Sequence, residues 1–295
     1  MTQEAHNSYR ESFGFRIRVE PITIPTLSRL RLSWSSRFDR EDIGRLVKEH
    51  PGLSQWIPDT GDYVVGGPWR HRSEIAAVME LSSQSGAVPL LEELRESAAA
   101  SGKRLVIASE HHESRQQAFY QSAGYDLIEE ILIYELNQIP YTTIADSRLR
   151  FEPVDLKNAA LTRELIELDH RSFPWLWWNS RAEFDNYVGS FGVNIYLGRN
   201  GDGKAVSYLG VTRFRNWGHL DRIAVDPTVQ GRGLGLESLD WAVHMLAESG
   251  ARRIGLSTQA RNVRSRQLYE RYGFRRSPSQ DYALYGQWLT DPEPM

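Results

Sequence analysis

Gly231, Gly233 and Gly235 alternate at the end of the stretch His219–Gly235, HLDRIAVDPTVQGRGLG. Glycines so spaced clear a turn of side chains and let successive backbone N–H groups converge on one anion. Before them, Ile223-Ala224-Val225 has the apolar, β-branched character of a strand, and Pro227 ends it. After them, the run from Leu236 has helical spacing, with Leu236, Leu239, Val243 and Leu246 as the expected buried stripe. A helix starting there points unpaired donors and its positive dipole end at the turn, which suits phosphate. The chemistry expected is a pyrophosphate cradle at Gln230, Gly231, Arg232, Gly233, Leu234 and Gly235. Leu236 denies the stretch the third glycine of a G-x-G-x-x-G dinucleotide loop, and no Gly-Lys-Ser/Thr occurs anywhere.

A second block follows. Ile254-Gly255-Leu256-Ser257-Thr258 alternates as a short strand, and Asn262–Phe274, NVRSRQLYERYGF, reads as a helix capped by Asn262 and stopped at Gly273. Gln230, Gly233 and Gly235 match Q/R-x-x-G-x-G/A, and the later run matches Asn-x-x-Ser/Ala-x-x-x-Tyr-x-x-x-Gly-Phe. In this order, the two blocks resemble the acetyl-CoA signature of the GNAT superfamily of N-acetyltransferases.

That resemblance implies an acyltransferase (acyl groups other than amino-acyl) with acetyl-CoA as co-substrate and no metal. Ile223, Ala224 and Val225 would flank the coenzyme, and the Val225 backbone N–H would donate to the developing oxyanion. Asn262 and Ser265 would border the pantetheine arm. Tyr269 would protonate the departing thiolate, since a free tyrosine pKa of about 10 keeps it protonated at neutral pH. Each role has a plainer rival: Asn262 as a helix cap only, Tyr269 as packing, Asp221 as the partner of a neighbouring arginine, His219 as a strand end. Asp221 and His219 are candidates for the base that deprotonates the acceptor, which stays unassigned.

Composition sets the frame. The 295 residues are 40% hydrophobic and 25% charged, enough chain for two ordinary cores. There is no cysteine, which removes disulfides, thiolate metal sites and a cysteine acyl-enzyme. A net charge of −3 argues against nucleic acid as the main partner. No apolar run is long enough to span a membrane and the N-terminus lacks an apolar signal segment, so a cytoplasmic protein is expected. Between Ala251 and Arg276 eight arginines face the single acid Glu270, a basic wall that would steer an anionic coenzyme or simply be a solvated helix face.

The sequence also repeats. Leu105, Ile107 and Ser109 precede Ile254, Leu256 and Thr258 by 149 positions, and the same offset pairs Tyr120 with Tyr269 and Gly124 with Gly273. The fold expected is α/β with a mixed sheet: two tandem GNAT acyl-CoA N-acyltransferase folds, at 1–140 and 146–295, joined near Asn137–Ser147. Tandem pairs with one working half occur in mycothiol synthase-like enzymes. Here the first copy offers Ser82–Ala87 where the second has its cradle, and Glu113 where the second has Asn262. It is expected to be a degenerate partner without acetyl-CoA. In the second copy, helices are expected from Ala159 and from about Ser180, strands at Asn194–Gly198 and Ala205–Phe214, and a closing strand near Tyr282–Trp288.

The acceptor expected is a small-molecule amine. Phe173–Trp178 brings four aromatics to the connection between the first two helices of that copy, which would border the acceptor cleft or glue the copies together. A protein amine as acceptor, a non-catalytic acyl-CoA sensor and a homo-oligomeric state all stay open. His111-His112 matches no metal spacing.

Overall fold

The computed structural model describes residues 8–12, 15–109, 117–140 and 147–293. Glu113, His111, His112 and the middle of the expected linker lie outside these residues. The chain forms two compact units, residues 1–129 with 282–292, and residues 130–281 with 293–295.

The N-terminal unit runs β1 (Ser8–Ser12), β2 (Phe15–Pro21), α1 (Arg40–Glu49), β3 (Gln55–Trp56), β4 (Tyr63–Trp69), β5 (Arg72–Ser82), α2 (Ala87–Ala100), β6 (Leu105–Ser109) and α3 (Gln117–Ser122). Successive strands are antiparallel except β5 and β6, which pair in parallel across α2. The core centres on Leu90, Leu91 and Leu94 of α2 against Val64, Val78 and Val106. Next comes β7 (Asp126–Leu136), whose residues from 130 onward belong to the other unit.

The second unit continues with β8 (Arg150–Pro153), α4 (Ala159–Ser172), α5 (Arg181–Val188), β9 (Val193–Arg199), β10 (Ala205–Phe214), β11 (Trp217–Val225), α6 (Leu234–Glu248), β12 (Arg253–Gln259), α7 (Val263–Tyr272) and β13 (Arg275–Arg276). The caps are local and legible: Asn158 opens α4, Ser180 opens α5, and Asn262 accepts from the Ser265 N–H at 3.2 Å to open α7. Within this unit the sheet order is β7-β12-β11-β10-β9-β8, with only β11 and β12 parallel. Leu239, Val243 and Leu246 of α6 pack on Leu209, Leu220 and Ile254.

Three expectations need correction. The last strand, β14 (Tyr282–Trp288), forms as read but pairs with β6 in the N-terminal unit, while Ile131–Leu136 of β7 pair with β12 in the other. Each unit thus takes a strand from the far half of the sequence, which strand patterns cannot reveal because they carry no pairing partner. Helix α6 begins at Leu234, two residues earlier than expected, so Gly235 sits inside its first turn. Accordingly Leu234 is buried against Leu149 and Val206, whereas Leu236 is 41% exposed and leaves the expected stripe.

Candidate active site

Strands β11 and β12 pair only from Trp217–Leu220 against Arg253–Leu256, although β11 continues to Val225 and β12 to Gln259. Beyond Leu220 they part, and the gap is the mouth of a cleft of about 1180 Å³ in this unit. The Asp226 N–H donates to Val206 O on the β10 side at 2.8 Å. Because alternate residues of a strand turn their polar groups to opposite edges, Ile223 and Val225 point theirs toward the cleft. The Gln230 side chain reaches Val225 O at 2.9 Å there.

The turn after β11 supplies bare amides. Among the described residues, none accepts a hydrogen bond from the N–H of Gln230, Gly231, Arg232, Gly233, Leu234 or Gly235. Gly231 and Gly233 hold φ of +80° and +87°, and a Cβ on Gly233 would lie 3.1 Å from Arg148 Nη2. Only glycine fits that backbone without strain. Arg148 straps the turn down: its Nη2 donates to Arg232 O at 2.6 Å, its Nε to Glu237 Oε1 at 2.7 Å, and its backbone N–H to Glu237 Oε2 at 2.9 Å. The pair has no sequence signal, since Arg148 and Glu237 are distant in the chain and neither stands in a motif.

Across the cleft, α7 and its cap present Asn262, Arg264 and Ser265 from the first turn and Tyr269 from the second. Arg264 donates to Gln230 Oε1, so α7 and the turn touch. Tyr269 is buried, and burial pushes its phenol up to about 12 against a smaller opposing effect of the Ser265 hydroxyl. Tyr134 of β7 donates to Glu270 Oε1 at 2.8 Å and holds the helix in place.

Of the residues singled out from sequence, Ile223, Ala224, Val225, Gln230, Gly231, Gly233, Gly235, Asn262, Ser265 and Tyr269 all line this one cleft. Leu234 does not, being turned into the core, and Arg232 meets Arg148 through its carbonyl. From the end of α4 and the connection to α5, Ser172, Phe173 and Pro174 reach the cleft. Trp175 and Trp177 are buried, and Trp178 stacks on His170 at 4.6 Å.

Among the described residues Asp221 pairs with no arginine, contrary to expectation. A bulge between Gly210 and Val211 leaves Asp221 without a direct partner on β10. Its carboxylate lies 2.7 Å from His219 Nδ1 and accepts from Thr212 Oγ1 at 2.7 Å and from Tyr187. The arginine next door, Arg222, turns instead to the fully buried Asp169 and donates to Trp177 O at 2.9 Å, with its guanidinium 3.8 Å from the Phe173 ring centroid. Tyr208 completes this network by donating to Asp169. The network fixes the connection that carries Phe173. Among the described residues, no group of three or more His, Asp or Glu could hold a metal, and no helix is long and apolar enough to cross a membrane.

Residues 151–274 match the model of the acetyltransferase (GNAT) family. A mycothiol acetyltransferase from Beutenbergia cavernae is 41% identical over 69 residues, which span 23% of this chain and 23% of that protein. A GCN5-related N-acetyltransferase from Sphaerobacter thermophilus shares the fold at 16% identity and a TM-score of 0.57, over 88% of this chain and 87% of that one. A tandem GNAT protein from the clavulanic acid biosynthesis pathway, solved without acetyl-CoA, aligns at 14% identity and a TM-score of 0.58, over 93% and 99% of the two chains.

Proposed function

We propose, from the premise that residues 151–274 belong to the GNAT acetyltransferase family, that the chain transfers an acetyl group from acetyl-CoA directly to the amine of a small molecule. One observation carries the reading: the bare amides of the Gly231–Gly235 turn, the open edge of β11 and Tyr269 share a single cleft. Those residues fit the coenzyme. Unpaired N–H groups at a helix N-terminus suit its pyrophosphate, Asn262 and Ser265 border its arm, and the splayed strands admit it. Bound there, acetyl-CoA supplies the activated acyl group as a thioester.

The remaining tasks fall to this chain's own groups. The inward N–H of Val225, with that of Ile223 on the same edge, donates to the carbonyl oxygen as charge develops on it. As the new C–N bond forms and the C–S bond breaks, Tyr269 gives its proton to the sulfur. The acceptor ammonium must first lose a proton, for which the His219–Asp221 pair is the candidate, directly or through water. Phe173 and Pro174 give the acceptor side an apolar wall, and the matched mycothiol acetyltransferase acts on a small molecule by its name. Both favour a small acceptor over a protein amine.

The test is thiol release from acetyl-CoA across a panel of small amines. Turnover with a peptide amine alone would move the reading to protein acetylation. Tight acetyl-CoA binding with no turnover on any amine would make the chain a sensor.

A further inference from the structure

The N-terminal unit repeats the same device in altered form. There β5 and β6 pair only over Ile75–Val78 and Leu105–Ala108, and β5 then runs on to Ser82 before α2, as β11 runs on to Val225 before α6. The turns differ in length: Ser83–Ser85 precede the N-cap Gly86, against Asp226–Arg232 before Gly233.

They also differ in what meets the amides. Asp62 Oδ2 accepts from the Gly86 N–H at 2.8 Å, the Ser85 N–H at 3.3 Å and Ser83 Oγ at 2.7 Å, while Oδ1 accepts from the Gln84 N–H at 3.4 Å. Three consecutive amides and a hydroxyl thus close on one carboxylate. A Cβ on Gly86 would fall 2.1 Å from Ile57 Cδ1 and 3.0 Å from Asp62 Oδ2, so the β3–β4 turn is seated directly on this helix end. The matching position in the other unit carries no anion. Tyr63 faces Ser82 as Ser207 faces Val225, which sets Asp62 against Val206, and Val206 is an apolar core residue.

We propose that Asp62 occupies, as a built-in anion, the place a coenzyme phosphate would take in the N-terminal unit, so that the chain binds one acetyl-CoA, in residues 130–281. The proposal rests on the function proposed above only for the identity of that single ligand. Burial of Asp62 would raise its pKa, but the Ser83 hydroxyl and the amides of Gly86, Ser85 and Gln84 hold it below the usual carboxylate range, in keeping with a permanently charged group.

Two measurements on the full chain decide it. Calorimetric titration with acetyl-CoA should give one site per chain, and two sites would overturn the proposal. Asp62→Ala should melt about 4–8 °C below the unaltered chain, because the buried Gly86 N–H and three part-buried donors lose their acceptor. Sodium sulfate should recover most of that loss, over and above the rise it gives the unaltered chain, by replacing the missing anion. Equal sulfate shifts in both would overturn the proposal. If the alanine variant does not fold, the calorimetric count of acetyl-CoA sites on the unaltered chain still decides the proposal. Absence of any acetyl-CoA binding would defeat the proposed function instead, and the sulfate comparison alone would then decide the role of Asp62.

Discussion

Tyr269 is where one atom would make the difference. Its hydroxyl is the only part removed in Tyr269→Phe, and the ring's packing against Phe274 and Tyr134 is kept. Turnover should fall on the order of 10²-fold, the usual worth of a positioned proton donor, with acetyl-CoA affinity nearly unchanged. Steady-state rates and a binding titration check both halves, and unchanged turnover would leave Tyr269 as packing. With its phenol pushed up to about 12, Tyr269 keeps its proton throughout the neutral range, so a pH optimum between 6 and 9 would have to come from another group. Asp62 makes a pH prediction of its own. Its folded pKa is depressed, so its contribution is complete above the unfolded value of about 3.9 and is lost as pH falls through the folded value. The gap in denaturant midpoint between the unaltered chain and Asp62→Asn should be open at pH 7 and close in acid.

At the scale of elements, the turn between β11 and α6 matters through its shape. Gly233→Asp would force a side chain at φ +87° beside Arg148 and put a carboxylate where amides converge. The rise in melting temperature on adding acetyl-CoA should vanish in this variant, as thermal unfolding with and without the coenzyme would show; a shift as large as that of the unaltered chain would count against the cradle. The α4–α5 connection has a different anchor. Arg222→Met strands the Asp169 carboxylate, which is 0% exposed, and removing one partner of a buried pair costs about 3–5 kcal/mol. Chemical denaturation should report a loss of that size. Fluorescence of Trp175, Trp177 and Trp178 should change with it, since Arg222 donates to Trp177 O.

For the molecule as a whole, the exchange of strands decides which pieces can stand alone. The N-terminal unit depends on β14: Leu284–Trp288 pair with β6, and Tyr285 stacks on Tyr120 at 4.4 Å. The other unit depends on β7, whose Ile131–Gln259 to Leu136–Ile254 ladder covers the edge of β12. Removing residues 282–295 should therefore damage the N-terminal unit rather than the one those residues follow in sequence. Hydrogen exchange would locate the loss, with protection falling in Leu105–Ser109 and holding in Ile254–Thr258. Fragments 1–140 and 146–295, cut where the sequence repeat suggests, should each fail to fold alone.

Much of the site was legible beforehand because its chemistry is local. A strand, a glycine turn and a helix start are set by neighbours a few residues apart, so the turn after β11, the Asn262 cap and the Gly273 stop could be read in order. The repeat with its 149-residue offset likewise led to an expectation of two tandem copies. What the sequence could not hold were relations between residues far apart in the chain. Arg148 on Glu237, Arg222 on Asp169 rather than Asp221, and β14 beside β6 arise when folding brings distant segments together, and a charge or an alternating strand does not name its partner. Backbone amides and carboxylates attract whatever anion or cation packing delivers, and in the first turn that is Asp62. Local propensity fixed which elements form, and the tertiary structure alone decided which of them face each other.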